Sequence, residues 1–184
     1  MHSRRELDPS ALGDHVDRLF RAAWAMCGSR DAAEDLVQET FARVLTRPRF
    51  LRSEDDVGYL LRALRNTFVS ERRAAARRPP PDRLPDDVDI PERSAAAYPE
   101  QAAEARLVYG AIAALSDEFR DVLVAVDVAG LSYREAAKGL GVPEGTVMSR
   151  LFRARRQVAE TLAPERRQTG GASRAQRERL RDNL

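Results

Sequence analysis

The stretch that decides the fold is residues 132–158, SYREAAKGLGVPEGTVMSRLFRARRQV. Ser132 and Glu135 have the S-x-x-E spacing of a capping box, which predicts the start of a helix. Gly141 is placed to end that helix in a left-handed conformation, and Pro143 suits the first position of a second helix. Because only a short turn at 141–143 separates the two helices, the sequence predicts a helix-turn-helix motif.

The second helix of this motif has an apolar face and a basic face. Its inward stripe is predicted to contain Val147, Leu151, Ala154, Val158 and Leu162. In a DNA-binding helix-turn-helix the second helix enters the major groove, where arginine can make two hydrogen bonds to guanine. A basic face is often only solvated, but here it occurs together with the capping box and the turn. We therefore predict DNA binding by the residues on and beside the outward face, which are Thr146, Ser149, Arg150, Phe152, Arg153 and Arg156.

Two more helices are predicted upstream in the same half of the chain. Apolar residues recur at helical spacing from Val108 to Leu115 and from Phe119 to Val126, and Gly130 ends the second series. Together with the helix-turn-helix, these helices form a predicted domain of residues 100–162. The basic segment that follows, 163–184, is predicted to be a flexible tail or a short amphipathic helix.

Three helices are predicted in the N-terminal half, residues 1–78. The first ends at Gly28, where the apolar pattern breaks. Asp31 and Glu34 have capping-box spacing, so the second helix is predicted to take Asp31 as its cap and to end at Pro48. The third runs from Val57 to about residue 78, with leucines inward and arginines on its outer face.

A linker is predicted between the two halves. Residues 79–99, PPPDRLPDDVDIPERSAAAYP, are rich in proline and aspartate and contain little that could form a core. As a flexible coil this segment would span roughly 25 Å, and more where proline stiffens it. The sequence therefore predicts an all-α fold of two small helical domains joined by a flexible linker.

The composition limits the possible functions. Cys27 is the only cysteine, and His2 and His15 are the only histidines, which is too few for a disulfide or a zinc cluster. The sequence shows no phosphate loop, nucleophile elbow or long apolar run. We therefore expect no catalytic residue, no cofactor, no metal and no membrane insertion, and we expect the chain to act in the cytoplasm.

An acidic and polar stripe lies on the predicted second helix. Its members fall at positions i, i+3, i+4 and i+7, so they share one outward face. A stripe of this kind could bind a basic partner, although on the sequence alone a solvated face is the stronger interpretation. The stripe consists of Asp35, Gln38, Glu39 and Ala42.

Two blocks of this sequence resemble the bacterial sigma-70 family. LSDEFRDVLVAVDVAGLSYREAAKGLGVPEGTVMSRLFRARRQV is similar to sigma region 4, and DAAEDLVQETFARVL with YLLRALRNTFVSERR is similar to region 2. The order of the blocks, without a region 3 between them, resembles the extracytoplasmic function (ECF) group. The resemblance covers about residues 12–162 and implies promoter recognition by bacterial RNA polymerase. The alternative is a two-domain helix-turn-helix regulator without a sigma role.

The resemblance also implies roles for particular residues. The stripe Asp35, Gln38, Glu39 and Ala42 would bind core RNA polymerase, and the helix-turn-helix would read the duplex -35 element. The segment from Arg49 into the third helix would bind the -10 element as single-stranded DNA, with one base turned out into a pocket. An anti-sigma factor is implied as a further partner. The -10 residues implied in this way are Arg49, Arg52, Asp55, Arg62, Arg65, Asn66, Arg72 and Arg73.

The sequence departs from the family pattern at two positions. Tryptophan is common in the family where Tyr59 stands, and we interpret Tyr59 as a core or helix-start residue. A basic residue is common where Met148 stands, so one DNA contact is expected to be absent and the -35 preference altered.

Overall fold

The computed structural model describes residues 5–6, 9–46, 50–51, 56–77 and 99–181, with side chains described within 12–46, 56–77 and 103–163. In the N-terminal half, a two-residue strand β1 pairs antiparallel with a second, β2, with Arg5 opposite Leu51. A 3₁₀ helix and three α-helices make up most of the other described residues in this half. The elements in order are β1 (Arg5–Glu6), the 3₁₀ helix (Pro9–His15), α1 (Val16–Cys27), α2 (Arg30–Leu45), β2 (Phe50–Leu51) and α3 (Asp56–Arg77).

The C-terminal half is also helical, which confirms the all-α prediction. The backbone of the last helix continues past residue 162 to Arg181. None of the helices in the described ranges combines the length and apolar character needed to cross a membrane. The elements are α4 (Pro99–Ala113), α5 (Asp117–Leu123), a π-helical turn (Val124–Val128), α6 (Tyr133–Leu140) and α7 (Glu144–Arg181).

The helix-turn-helix forms from α6 and α7 as predicted. The Ser132 hydroxyl oxygen accepts from the Glu135 N–H at 3.3 Å, and the Glu135 carboxylate accepts from the Ser132 N–H at 2.8 Å, which completes the capping box. Gly141 has φ 70°, and its N–H donates to the Ala137 carbonyl at 2.9 Å, so it ends α6 in the left-handed conformation. These local interactions fix the angle at which α7 leaves the turn.

The predicted cap of α2 is wrong. Ser29, with an extended backbone, is the N-cap residue, and its hydroxyl oxygen accepts from the Ala32 N–H at 3.5 Å. Gly28 ends α1 at φ 75° and leaves Ser29 in the conformation that a cap requires. Asp31 therefore lies inside the first turn, where its negative charge still favours the helix dipole.

The two halves pack directly against each other and share one contiguous hydrophobic core. The rings of Trp24 on α1 and Tyr109 on α4 lie 4.7 Å apart between centroids, and Trp24 is buried. Gly28 lies against Ala113 at the end of α4, so closely that a Cβ at Gly28 would lie 3.0 Å from the Ala113 Cβ. The sequence predicted both halves but not this contact between them.

The close approach at Gly28 leads to a stability prediction. Alanine at Gly28 or at Gly141 would have to adopt a left-handed conformation, which costs about 1–2 kcal/mol. A Cβ at Gly141 meets nothing within 4 Å, whereas a Cβ at Gly28 presses on Ala113. We expect G28A to lower the free energy of unfolding more than G141A does, as measured by urea denaturation of the full chain. Equal losses would contradict the packing of α1 on α4.

Candidate DNA and protein interfaces

The outward face of α7 carries most of the residues predicted to bind DNA. Ser149, Phe152, Arg153 and Arg156 are all exposed on it, opposite the buried Val147, Leu151 and Ala154 that dock α7 onto its own domain. The Ser149 hydroxyl donates to the Thr146 carbonyl at 3.1 Å. Arg156 makes a local ion pair with Glu160 at 2.7 Å, which holds it on the surface. This face therefore presents arginine side chains to solvent, as DNA binding requires.

Arg150 lies apart from the other members of the predicted DNA-binding set. Its side chain is only 30% exposed, and Nη2 lies 2.7 Å from the Glu118 carboxylate of α5. Arg155 makes a comparable contact, donating two hydrogen bonds to Asp127 at 2.8 and 2.6 Å. These two arginines tie α7 to the preceding helices, so they fix its orientation in the domain.

The basic face of α3 is divided between two directions. Arg62, Asn66 and Arg73 are exposed on the side opposite the buried leucines, which is where a nucleic acid could reach them. Arg65 and Arg72, seven residues apart, instead point along the flank towards the C-terminal half. The other predicted -10 residues, Arg49, Arg52 and Asp55, lie outside the described residues.

Two ion pairs join this flank of α3 to α5. Arg65 Nε donates to Asp121 Oδ2 at 2.6 Å, and Arg72 Nη1 donates to Asp117 Oδ1 at 2.7 Å. The buried Arg120 pairs with the same Asp117 carboxylate and lies 5.0 Å from the centroid of the Phe68 ring of α3. Two of the arginines that were predicted to contact single-stranded DNA, Arg65 and Arg72, are thus already paired with acidic residues of the other half.

The two carboxylates differ in environment. The hydrogen bond from Arg72 lowers the pKa of Asp117 below its usual value. Burial raises the pKa of Asp121, and the hydrogen bond from Arg65 offsets that effect only in part. Because the side chain of Asp121 is just 8% exposed, removing Arg65 would leave a desolvated carboxylate without its partner.

The stripe on α2 is open to solvent. Asp35, Gln38 and Ala42 are exposed, and Glu39 is partly buried and paired with Arg43 at 2.6 Å. Asp35 makes no ion pair with any residue in the described part of the chain. Because the exposed carboxylate of Asp35 is available to pair with a basic group of another molecule, this face can serve as a docking surface.

The sequence reasoning missed the residues that hold the halves together. Asp117 and Asp121 are four residues apart on α5, and this spacing matches a single helix face that could meet Arg65 and Arg72. The spacing of the two aspartates on one face, and of the two arginines on another, could have indicated that α5 pairs with a basic helix. It did not, however, indicate which of several basic faces these aspartates would meet.

Two family models match the chain, one in each half. Residues 12–78 match Sigma-70 region 2, and residues 105–158 match Sigma-70, region 4. The first match contains α1, α2 and α3, and the second contains the helix-turn-helix. Each interface described above therefore falls within a matched region.

The chain is also similar in sequence to two ECF sigma factors. The chain is 37% identical over 162 residues to the ECF RNA polymerase sigma factor SigE of Mycolicibacterium smegmatis, and the match covers 84% of this chain but 61% of SigE. It is 34% identical over 151 residues to the ECF RNA polymerase sigma factor SigL of Mycobacterium tuberculosis, and this match covers 81% of the chain and 85% of SigL. The chain thus spans about three fifths of the first relative and most of the second.

Two solved structures have the same fold. The sigma factor RpoE, crystallised with the anti-sigma factor NepR from Bartonella quintana, has a TM-score of 0.61 at 24% identity, covering 84% of this chain and 95% of RpoE. CnrH, in complex with the cytosolic domain of CnrY, has a TM-score of 0.56 at 23% identity, covering 84% of this chain and 86% of CnrH.

Proposed function

Because the chain belongs to the ECF group of the sigma-70 family, we propose that it is the promoter-recognition subunit of a bacterial RNA polymerase. The observation that carries this proposal is the presence in one chain of an exposed acidic and polar face on α2 in region 2 and an exposed basic face on α7, the proposed recognition helix, in region 4. In this role the polymerase performs the catalysis, and the chain itself is not an enzyme.

The -35 element is the proposed target of residues 144–156. Ser149, Arg153 and Arg156 lie on the exposed face of α7 and would reach base edges and phosphates in the major groove. Thr146, in the first turn, would donate to a phosphate near the positive end of the helix dipole. Arg150 would contribute to DNA binding only after releasing Glu118, or would act by holding α7 in position.

The -10 element is the proposed target of α3 and the segment before it. Asn66 is exposed between Arg62 and Arg73. Its amide could therefore hydrogen-bond a base while the two arginines bind the phosphates on either side. Turning a base out of the stack costs a few kcal/mol, which hydrogen bonds in a pocket and contacts to the backbone must offset. Arg49, Arg52 and Asp55 remain predicted members of this surface.

The exposed face of α2 is the proposed contact with core RNA polymerase. Asp35, Gln38 and Ala42 would form its centre, and Glu39 would join it by exchanging Arg43 for a basic residue of the polymerase. Charge complementarity of this kind speeds association and fixes the orientation of the partners.

The proposed function requires the two halves to separate. Arg65 of α3 pairs with Asp121, and Arg150 of α7 pairs with Glu118, one helical turn or about 5 Å away along α5, so the two helices that carry the proposed DNA surfaces are held close together. The centres of the -10 and -35 elements are about 25 base pairs apart, or roughly 85 Å in duplex DNA. We therefore propose that residues 1–78 and 100–162 move as separate domains on residues 79–99, and that 163–184 lie outside both.

Charge reversal should open the contact between the halves. Asp121→Arg would place a second positive charge against Arg65 in a poorly solvated site, so we expect the halves to separate. Spin labels would be attached to cysteines introduced at the exposed Arg18 and Lys138, with Cys27 replaced by alanine. Pulsed electron paramagnetic resonance should then report a longer distance between the two labels in D121R than in the chain without this change. Adding R65D to the D121R chain should restore part of the original distance. Unchanged distances in D121R would show that the ion pairs do not hold the halves together.

An anti-sigma factor is a proposed further partner. RpoE was crystallised with the anti-sigma factor NepR, CnrH was solved in complex with the cytosolic domain of CnrY, and both have the fold of this chain. A protein that binds the two halves in their closed arrangement would leave Arg65 and Arg72 paired with α5 and unable to bind DNA. We place this regulation in the cytoplasm, where core polymerase and promoter DNA are found.

Association with core polymerase tests the proposal. A helix-turn-helix regulator without a sigma role would bind DNA by itself and ignore polymerase, and no observation here favours that alternative. We expect the purified chain to co-elute with core RNA polymerase in gel filtration and to be displaced by another sigma factor. A chain that elutes alone at micromolar concentrations would contradict the proposal.

A further inference from the structure

Two large apolar side chains stand exposed among the basic residues of the recognition helix. Met148 is 53% exposed and Phe152 is 71% exposed, which makes Phe152 the most exposed large apolar side chain that the structure describes. They are four residues apart, so they lie one above the other on the same side of α7. The surface of the recognition helix therefore contains an apolar strip.

The apolar strip is not part of the core. The buried face of α7 is formed by Val147, Leu151 and Ala154, which are at most 1% exposed. Met148 and Phe152 instead line an open groove together with Ser149, Arg153 and Arg156. Exposed apolar side chains that stand singly need no explanation, but two adjacent ones inside a proposed binding face indicate a contact with a ligand.

The chemistry of the major groove limits what such a strip can contact. Base edges in this groove offer hydrogen-bond donors and acceptors, and the 5-methyl group of thymine is the apolar group among them. Methionine has a flexible, polarisable side chain that adapts to the surface it meets. Unlike a basic residue, it offers no donor to guanine or phosphate, so at its position only apolar contact remains.

We propose that Met148, with Phe152 beside it, reads thymine methyl groups in the -35 element and so determines part of the promoter preference of this chain. The inference rests on the proposed function, because it assumes that α7 enters the major groove of promoter DNA. Arg153 and Arg156 supply most of the affinity for DNA, and the apolar strip of Met148 and Phe152 discriminates thymine from the other bases.

Deoxyuridine provides a direct probe of this contact. It pairs with adenine as thymine does but lacks the 5-methyl group, so replacing thymine removes a single apolar group from the groove. Loss of one buried methyl corresponds to a decrease of roughly fourfold in binding. We expect this decrease at one or two thymines of the -35 element and at no other position in it.

The experiment uses the full chain with core RNA polymerase. Promoters are first identified by selecting active sequences from a randomised library, and each -35 thymine is then replaced by deoxyuridine on either strand. Holoenzyme binding is compared for the original chain, for M148A and for L107A. Leu107 is an exposed apolar residue of α4, outside the recognition helix, so L107A controls for general loss of apolar surface.

The outcomes separate this inference from the proposed function. We expect the original chain and L107A to lose about fourfold on deoxyuridine substitution, and M148A to bind both DNAs equally and more weakly than the original chain binds the thymine form. If transcription occurs but deoxyuridine has no effect, or has the same effect in M148A, the apolar reading is overturned while the sigma role stands. If no promoter is selected at all, the proposed function itself has failed.

Discussion

Replacing Arg153 with alanine is expected to lower holoenzyme binding to -35-dependent promoters by roughly 5- to 150-fold. The side chain is exposed on the outward face of α7, and a good bidentate arginine contact to a base is worth about 1–3 kcal/mol. Because Arg153 has no role in the core, the thermal stability of the chain should not change. Binding would be measured by fluorescence anisotropy of labelled promoter DNA with purified holoenzyme.

The control for this prediction is Arg18→Ala. Arg18 is also an exposed arginine, but it lies on α1 and away from the recognition helix. R18A should bind within about twofold of the original chain, since a surface substitution removes only a general electrostatic contribution. If R153A and R18A had the same small effect, the recognition helix would not be the part of the chain that reads DNA.

The pair D35A and Q38A is expected to weaken binding to core RNA polymerase by more than tenfold. Both side chains are exposed at the centre of the α2 stripe, and Asp35 has no ion-pair partner in the described residues. Removing one member of a close charge pair across an interface costs about 2 kcal/mol or more. The affinity would be measured by competition with a labelled sigma factor for core polymerase.

Glu34→Ala is the matched control on the same helix. Glu34 is exposed as well, but it lies about 100° around the helix from Asp35 and makes an ion pair with Arg30 at 3.4 Å. We expect E34A to change polymerase affinity by no more than about twofold, because exposed pairs of this kind contribute little. Equal losses in E34A and in the double variant would show that polymerase responds to the total charge of α2 and not to the stripe.

The elements with strong local signals were the most predictable from the sequence. The helix-turn-helix was predicted correctly because the capping box at Ser132 and the left-handed Gly141 depend only on residues close to them in the sequence. The cap of α2 was predicted wrongly because two candidates, Ser29 and Asp31, lie close together, and the backbone conformation set by Gly28 decides between them.

The packing of the two halves could not be predicted in the same way. Arg65 and Arg72 appeared as members of one basic helix face, and their partners on α5 are separated from them by a proline-rich segment of the sequence. Which faces meet depends on the shape of both domains, as in the close approach of Gly28 to Ala113. Helix periodicity alone indicates that a side chain points outward and does not show what it meets.

For the recognition helix, periodicity was nearly sufficient. It placed Ser149, Arg153 and Arg156 on the exposed face, where the structure has them. Arg150 was included in the same face, although it lies only about 60° around the helix from the buried Val147 and pairs with Glu118. A stricter use of the helical angle would have separated it from the others.

The most direct test of the account is transcription in vitro with the full chain, core RNA polymerase and a library of promoter fragments. Sequencing of the transcript starts should show initiation that depends on the added chain and begins at a fixed distance from two shared elements, one near -35 and one near -10. Starts that do not change when the chain is added, or that depend on only one shared element, would contradict the claim that both halves read a promoter together.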